Sequence, residues 1–383
     1  MRANNIVREV LGDLEESIHQ ARLNAVVAAV VALIHGGQVG LAALGRAIGK
    51  RSHKHGIKRI DRLFRNRALA DELAMIYAAI ARFTLRRMTR PVILVDWTRI
   101  GNTMYALTAA VPVKGRAITI YSVTVPSRQY TAVAVENAFL KKLKELVGPG
   151  CVPVLVGDAG FRGPWMKRVR EMGWDFLTRI RGRTHVQRVG ETRWQHWKKL
   201  SSLAGSRPRS LGRCCFVRIR TVEARLVVVD RRSKRARSSK NNRRNARSLR
   251  VVRAQREPWF LATSLECPPK DVVKLYALRM QIELTFRDLK SRQFGWGFAD
   301  SRCRSPARVA VQIMLAALAS LVSMLVGIAA EQAGLHRRFQ ANTIKRRRVL
   351  SLVYLGREVI KVGYADNLAP PDLSEHFKFV GIP

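Results

Sequence analysis

Residues 309–330 form an uncharged stretch of 22 residues, which restricts the possible folds of this chain more than any other segment. A helix of that length can span a bilayer or lie at the centre of a large core. The stretch is rich in Ala and Val, is interrupted by Gln312, Ser320 and Ser323, and has basic residues on both sides. These features favour a fully buried helix over a membrane span, which the sequence leaves as the alternative.

The size and charge of the chain indicate several domains and a polyanionic partner. A chain of 383 residues is too long for one compact core, so two or three domains are expected. It carries 70 Lys and Arg against 27 Asp and Glu, a formal net charge of +43. Because such self-repulsion does not stabilise a folded protein, we expect it to serve binding, first of all to nucleic acid. Charge alone leaves ribosomal RNA and an anionic membrane surface open.

Cysteine usage and the N-terminal segment bear on the cellular compartment. The five cysteines include no C-x-x-C pair, which is typical of reduced thiols rather than of a metal site or a disulfide framework. The N-terminal segment is acidic after its first turn and lacks an apolar core, so no signal peptide is predicted. We therefore expect a cytoplasmic protein.

Residues 1–88 are predicted to be helical and to bind DNA. Helical spacing of apolar residues over 41–48 is closed by Gly49, and a second, strongly basic helix follows. This is the outline of a helix-turn-helix, although a surface helix with a solvated charged face fits the pattern equally well. The apolar stripe of the basic helix consists of Ile57, Ile60, Leu63 and Phe64.

From residue 91 the pattern changes to short apolar runs typical of strands. Periodicity alone predicts an α/β fold, and the order of three strands, helix, strand, helix, strand is that of a mixed sheet of ribonuclease H type. The strands are expected at 91–97, 104–113, 117–125, 151–158 and 174–180, and the helices at 135–147 and 164–172.

Residues 182–257 break this rhythm and are predicted to be a β-rich insertion. Strand candidates at 215–222 and 224–230 precede the run 231–250, which has ten basic residues and no acid. Such a run is typical of a solvated, disordered loop, or of a DNA-backbone contact that orders on binding. A strand at 259–265 and one long helix over 269–293 then return to the α/β pattern.

Three carboxylates occupy sequence positions that suit a metal-binding site. Asp96 and Asp158 each end an apolar run, and sites tend to form at the open ends of strands in α/β sheets. On the long predicted helix, Tyr276, Arg279, Glu283 and Lys290 fall within an arc of roughly 60° at about 100° per residue. The structural alternatives are turn-initiating aspartates and ordinary i,i+4 pairing of Glu283 with neighbouring arginines.

Together the three acids can hold two hard divalent cations, which prefer oxygen ligands. Two such ions about 3.5–4 Å apart activate an attacking water or hydroxyl and stabilise the leaving oxygen of a phosphodiester. Arg279 and Lys290 would then bind the flanking phosphates, and Tyr276 would donate a hydrogen bond to the same backbone.

The spacing Tyr276-x2-Arg279-x3-Glu283-x6-Lys290 resembles the Y-R-E-K signature of the insertion-sequence-four family of bacterial transposases. The resemblance covers roughly residues 90 to 300. It implies a ribonuclease H-like fold, a triad formed by Asp96, Asp158 and Glu283, and a β-rich insertion between the last two acids. It also implies that Trp259, on the strand before the signature helix, stacks on a flipped base.

The resemblance further implies cut-and-paste transposition with Mg²⁺, or Mn²⁺ as a substitute, and two ions per active site. Nicking, hairpin formation, hairpin opening and strand transfer would be carried out by a homodimer that bridges the element's ends. The partners would be double-stranded DNA, both terminal inverted repeats and target, and no membrane.

We accordingly divide the chain into a DNA-binding domain, a catalytic domain in two parts, the insertion between them and a C-terminal segment that can serve dimerisation. Two alternatives remain: a catalytically inactive, transposase-derived DNA-binding repressor, and a ribonuclease H-like DNA nuclease. The five segments are 1–88, 89–181, 182–257, 258–334 and 335–383.

Overall fold

The computed structural model describes residues 1–49, 52–86, 88–218, 221–230, 257–341, 343–344 and 347–371. The described residues form a mixed α/β structure of two compact units. Among the described residues, the first unit contains Met1–Cys151 and the stretch from Met280 to residue 371, and the second contains Val152–Arg279. The basic run 231–250 lies outside the described residues, so both interpretations of it stay predictions.

The first unit contains nine of the described α-helices and three neighbouring antiparallel strands in the order β3-β2-β1. All three strands were predicted within a few residues. The strands are β1 (Val92–Ile100), β2 (Met104–Val113) and β3 (Arg116–Pro126), and the helices are α1 (Ala3–Leu11), α2 (Gln20–Gly36), α3 (Leu41–Ile48), α4 (His53–Arg65), α5 (Arg67–Leu85), α6 (Val133–Val147), α9 (Met280–Lys290), α10 (Pro306–Gln332) and α11 (Leu352–Lys361).

Strand β1 is longer than predicted, which changes the position of Asp96. The strand continues to Ile100, which pairs with Met104 of β2, and Asp96 itself pairs with Thr108. The expectation that Asp96 ends the strand is therefore wrong. The short turn between β1 and β2 keeps the two strands paired beyond the apolar run, even though Trp97 and Arg99 are not part of the core.

Helix α10 is the uncharged stretch, and it is buried as predicted. In its most apolar 18-residue window, 94% of the residues are buried inside the chain. It packs against α2, α5, α11 and β3 of its own unit. The contact with α11 is especially close, because a Cβ atom at Gly327 would lie 2.0 Å from the carbonyl oxygen of Leu352. Among the described residues, α10 is the only single helix that is long and apolar enough to cross a membrane. Helices α2 and α3 would meet the same criteria only if they were counted as one span, and they are bent by 100° relative to each other.

The second unit contains seven neighbouring strands in the order β4-β5-β10-β9-β8-β6-β7 and two described α-helices. Strands β4 and β5 are parallel and are joined through α7, as a parallel pair requires a crossover connection. Strands β6 to β9 occupy the predicted insertion. The elements are β4 (Val154–Gly157), α7 (Gly163–Glu171), β5 (Asp175–Arg179), β6 (His185–Arg188), β7 (Gln195–His196), β8 (Arg209–Phe216), β9 (Val222–Val229), β10 (Trp259–Thr263) and α8 (Pro269–Ala277).

Two predictions for the second half of the chain are wrong. The strand expected at 215–222 ends early: β8 covers Arg209–Phe216. It ends there because Val217 adopts a left-handed backbone with φ of 64°. The single helix expected over 269–293 is two helices, α8 and α9. The amide groups of Leu278 and Arg279 bond to carbonyls three residues back, at 3.1 Å each, so the chain tightens into a 3₁₀-type turn there.

The antiparallel β1–β3 meander and the parallel β4–β5 pair are compatible with the expected ribonuclease H-like domain. The five-segment division of the chain stays a prediction.

Candidate active site

Asp96 lies in the middle of β1 in the first unit. Its side chain is buried, and Oδ1 accepts a hydrogen bond from the amide of Trp97 at 2.8 Å. Side chains two residues apart in a strand share a face, so Asp96 and the buried Thr98 point to the same side of the sheet.

Lys290, at the end of α9, reaches that face. Its Nζ donates a hydrogen bond to Oγ1 of Thr98 at 2.6 Å. Burial lowers the pKa of Lys290, and the nearby Asp96 carboxylate acts in the opposite direction. The ammonium group is therefore held beside Asp96 by a neutral hydroxyl, which leaves donors of the same group available to a phosphate.

Helix α9 is fixed to the sheet along its opposite flank. Thr285 Oγ1 accepts a hydrogen bond from the amide of Ala117 at 2.9 Å, and the buried Asp288 forms an ion pair with Arg116. Glu283 precedes Lys290 by seven residues, two turns, so the two side chains lie on the same flank. The bonds to β3 thus set the orientation in which α9 presents Glu283 and Lys290.

Asp158 follows β4 directly in the second unit, so the expectation that it ends a strand is confirmed. Its Oδ1 accepts a hydrogen bond from the amide of Gly160 at 2.7 Å, the local arrangement of an Asx turn. Its carbonyl oxygen accepts a hydrogen bond from Thr178 Oγ1 at 2.7 Å, on the neighbouring strand β5. Both bonds restrict the position of this carboxylate.

Tyr276, Arg279 and Trp259 form a cluster in the same unit. The ring of the half-buried Trp259 meets that of Tyr276 edge-to-face, with centroids 4.9 Å apart, and the Arg279 guanidinium lies 5.9 Å from the Tyr276 centroid. Burial raises the pKa of Tyr276, while Arg279 and Arg179 act to lower it. The Tyr276 side chain is only 4% exposed. Its hydroxyl therefore lies within the cluster rather than on an open surface.

The predicted site residues thus fall into two sets. Asp96, Glu283 and Lys290 belong to the first unit, and Asp158, Trp259, Tyr276 and Arg279 to the second. The prediction that the four signature residues share one continuous helix face is wrong, because α8 ends at Ala277. Within the described ranges, no three His, Cys, Asp or Glu side chains are grouped as a metal site.

Two further residues near these sets were missed from sequence. Thr98 holds Lys290, and its position two residues after Asp96 on one strand was a signal that could have found it. Arg179 lies at the end of β5, and burial lowers the pKa of its guanidinium. Arg179, Arg181 and Arg183 follow each other closely in sequence, which gave no indication that Arg179 would be the one with a buried guanidinium nitrogen.

Helix α4 carries an exposed basic face. Its buried side contains Ile60, Leu63 and Phe64, while Ile57 is half-buried. Its only acid, Asp61, forms ion pairs with Arg65 and Arg308. The exposed side chains are His53, Lys54, His55, Lys58, Arg59, Arg62 and Arg65.

Comparison with known families identifies the chain. The sequence model of the family described as "Transposase DDE domain" matches residues 87–322, more than half of the chain. A comparison with curated proteins gives no match. The matched range contains all three candidate acids and the whole candidate signature. The chain therefore belongs to the DDE-domain transposases, a family whose members act on DNA and use divalent metal ions.

Proposed function

We propose that this protein is a transposase of the Y-R-E-K type, of the insertion-sequence-four family, which moves its element by cut-and-paste transposition. The observation that carries the proposal is the family match over residues 87–322, which includes Asp96, Asp158, Glu283 and the spaced Tyr276, Arg279 and Lys290. Asp96 is buried, Asp158 is held by an Asx turn, and Glu283 lies on the same flank of α9 as Lys290.

The three carboxylates are proposed as metal ligands. An all-oxygen donor set fits Mg²⁺, with Mn²⁺ as a substitute, because hard cations prefer oxygen. Mg²⁺ is commonly held by one or two carboxylates together with substrate phosphates and water, so a protein-only cage of three side chains is not required. Two bound ions would polarise the scissile phosphate and lower the pKa of the attacking water or hydroxyl.

The remaining residues of the signature would orient the DNA. Lys290, held by Thr98, would neutralise a phosphate beside Asp96. Arg279, with its planar fork of donors, would bind a second phosphate, and the buried Tyr276, in contact with Arg279, would hold that guanidinium in place on the DNA. Trp259, half-buried beside Tyr276, would stack on a base that leaves the helix during hairpin formation.

The exposed face of α4 is proposed to contact the element's terminal inverted repeats. It presents seven basic or imidazole side chains, and its one acid is neutralised by ion pairs. The protein would act in a bacterial cytoplasm as a homodimer that holds two element ends near target DNA.

Removing each acid tests the proposed chemistry. Asp96→Asn, Asp158→Asn and Glu283→Gln should each abolish nicking of DNA that carries the element's ends, in Mg²⁺ or Mn²⁺. DNA binding, measured by mobility shift, should stay near the parental level, because a metal ligand and not a DNA contact is lost.

Glu171→Gln is the matched control, since Glu171 is an exposed carboxylate on α7. It should cut normally. A triad variant that cuts at near the parental rate would remove that acid from the site. A parental protein that binds the ends but never cuts them would indicate the inactive repressor, and cutting without strand transfer would indicate a plain nuclease.

A further inference from the structure

A basic cavity of about 930 Å³ lies within the second unit. Six Arg and Lys side chains line it together with a single carboxylate, that of Glu257, which pairs with Arg181 at 2.7 Å. Within the described ranges, the other five lining cations have no carboxylate at ion-pair distance, and residues 231–256, which precede Glu257, contain no acid. The cavity therefore has a large, uncompensated positive charge.

The cations differ in depth. Arg183, Lys198 and Arg218 are exposed, whereas Arg179 is half-buried. Arg179 donates from Nη2 to the carbonyl oxygens of Glu257 and Pro258 at 3.3 and 3.4 Å. Its Nε is buried, and in the described part of the chain it has no hydrogen-bond partner. An unsatisfied buried guanidinium donor that lines a cavity indicates that a ligand acceptor is expected there.

A second inner donor group comes from helix α7. The helix begins at Gly163, which lines the cavity, and its N-cap Arg162 makes no side-chain hydrogen bond to the first turn. Pro164 has no amide hydrogen, so the first turn offers the amides of Gly163 and Trp165, which together with the helix dipole favour an anion. Arg162 itself adds an exposed cation at the same end.

These features favour a polyanion that is narrow enough to enter the cavity. Phosphates of a duplex lie on a wide convex surface, so they can reach the exposed cations but not Arg179 or the first turn of α7. A single strand is thin enough to enter, and the volume of about 930 Å³ lies at the upper end of the range of ligand pockets, roughly 300–1,000 Å³, which leaves room for more than one nucleotide. The cavity lining also includes Ala159, the residue after Asp158.

We infer that this cavity binds the phosphate backbone of an unpaired DNA strand, the strand that passes Asp158 when the duplex is opened for cleavage. The role of the cavity during cleavage rests on the proposed function, whereas its binding of an unpaired strand does not.

Paired variants of exposed residues test the inference on the full chain. Arg183→Ser with Lys198→Ser removes two lining cations. Arg193→Ser with Lys199→Ser is the matched control, since both residues are exposed in the same unit but do not line the cavity. Binding of fluorescent oligothymidylate, and of a duplex of equal length, is measured by anisotropy in EDTA over a range of salt concentrations.

The lining pair should lower the slope of log K against log salt for oligothymidylate by about 1.4, two phosphate contacts at about 0.7 each on a single strand. It should affect the duplex much less, and the control pair should have little effect on either ligand. Equal effects of the two pairs, or equal effects on single strand and duplex, would overturn the inference. Thermal melting confirms that both variants are folded.

A second measurement locates the strand in the parental protein. Oligonucleotides with 4-thiothymidine are crosslinked by light, and the modified peptides are mapped by mass spectrometry. Crosslinks should fall on segments that line the cavity, such as 181–185 and 216–218, and crosslinks confined to other segments would contradict the inference. Because neither measurement needs metal or cleavage, a protein that binds here but never cuts would refute only the proposed function.

Discussion

Trp259 is the site residue whose role depends most on local packing. It is half-buried and meets Tyr276 edge-to-face, so it lies beside the signature tyrosine with part of the residue exposed. We expect Trp259→Ala to nick DNA normally but to stall before the hairpin, because stacking worth about 1–3 kcal/mol is lost. Gel analysis of nicked and hairpin products, with a thermal melt, measures both effects.

Trp259→Phe, which keeps an aromatic face, should restore part of the hairpin step. A purely structural role predicts a different result for Trp259→Ala: a loss of about 3–5 kcal/mol in stability, with nicking and hairpin formation reduced together.

The adjacent thiols Cys214 and Cys215 should differ in reactivity. They alternate on β8, where Cys214 is buried and Cys215 is half-buried, and burial raises the pKa of Cys214 to about 12. At about pH 8.5 the native protein should be alkylated by iodoacetamide at the more accessible Cys215. Cys214 should be protected, because its thiol is buried and keeps its proton, and the thiolate is the nucleophile. Tandem mass spectrometry locates the label, and denatured protein is the control. Labelling of Cys214 in the native protein would contradict the strand register.

At the scale of elements, the contact of α10 with α11 allows almost no added volume. A Cβ at Gly327 would lie 2.0 Å from a backbone oxygen, which cannot move like a flexible side chain. We expect Gly327→Ala to destabilise the protein by about 1–3 kcal/mol or more in chemical denaturation.

Gly12→Ala is the matched control for Gly327→Ala. Gly12 has helical backbone angles, and no atom lies within 4 Å of the position that a Cβ would take. Alanine there should therefore be neutral or stabilising by about 0.4–1 kcal/mol. Similar losses for both variants would show that the helix contact is not the cause.

The elements that sequence predicted well are those with unambiguous periodicity. The strands β1 to β3 and the helices α6 and α10 were found because apolar runs and helical stripes identify the buried face directly. The break at residues 278–279 was missed because the amphipathic pattern continues across it, and a 3₁₀-type turn leaves no mark in side-chain type. The end of β8 was missed because Val217 is a residue type that rarely adopts positive φ.

For the candidate site, sequence identified residue types but not their support. The two aspartates were proposed from their positions after apolar runs and the signature from its spacing. The Thr98–Lys290 bond and the Arg116–Asp288 ion pair, in contrast, join residues 192 and 172 positions apart. Such long-range contacts depend on how the strands and α9 pack, which periodicity does not contain. Asp288 illustrates the consequence: its sequence neighbourhood resembles that of a site acid, but its ion pair with Arg116 makes it an anchor of α9.

For the whole molecule, the net charge of +43 predicts a steep dependence of DNA affinity on salt. Log K should fall by about 0.9 per phosphate neutralised on duplex DNA for each unit of log salt. Replacing the ten basic residues of 231–250 by Ser should flatten this slope and weaken binding to all sequences alike, as measured by anisotropy titrations.

A variant in which the order of residues 231–250 is scrambled is the control for that experiment, because it keeps the ten charges and should keep the slope. An unchanged slope after the serine replacement would mean that the run does not contact DNA.

The first unit is discontinuous along the chain, and this determines the order in which its parts become available during synthesis. Strands β1 to β3 and α1 to α6 leave the ribosome long before α10, the helix that packs against α2, α5 and β3. Until residues 306–332 emerge, apolar faces of the N-terminal part stay uncovered, a condition that favours aggregation or chaperone binding. The second unit, Val152–Arg279, is continuous and can fold first. A messenger cut short before codon 306 would therefore yield an insoluble product rather than a free DNA-binding fragment.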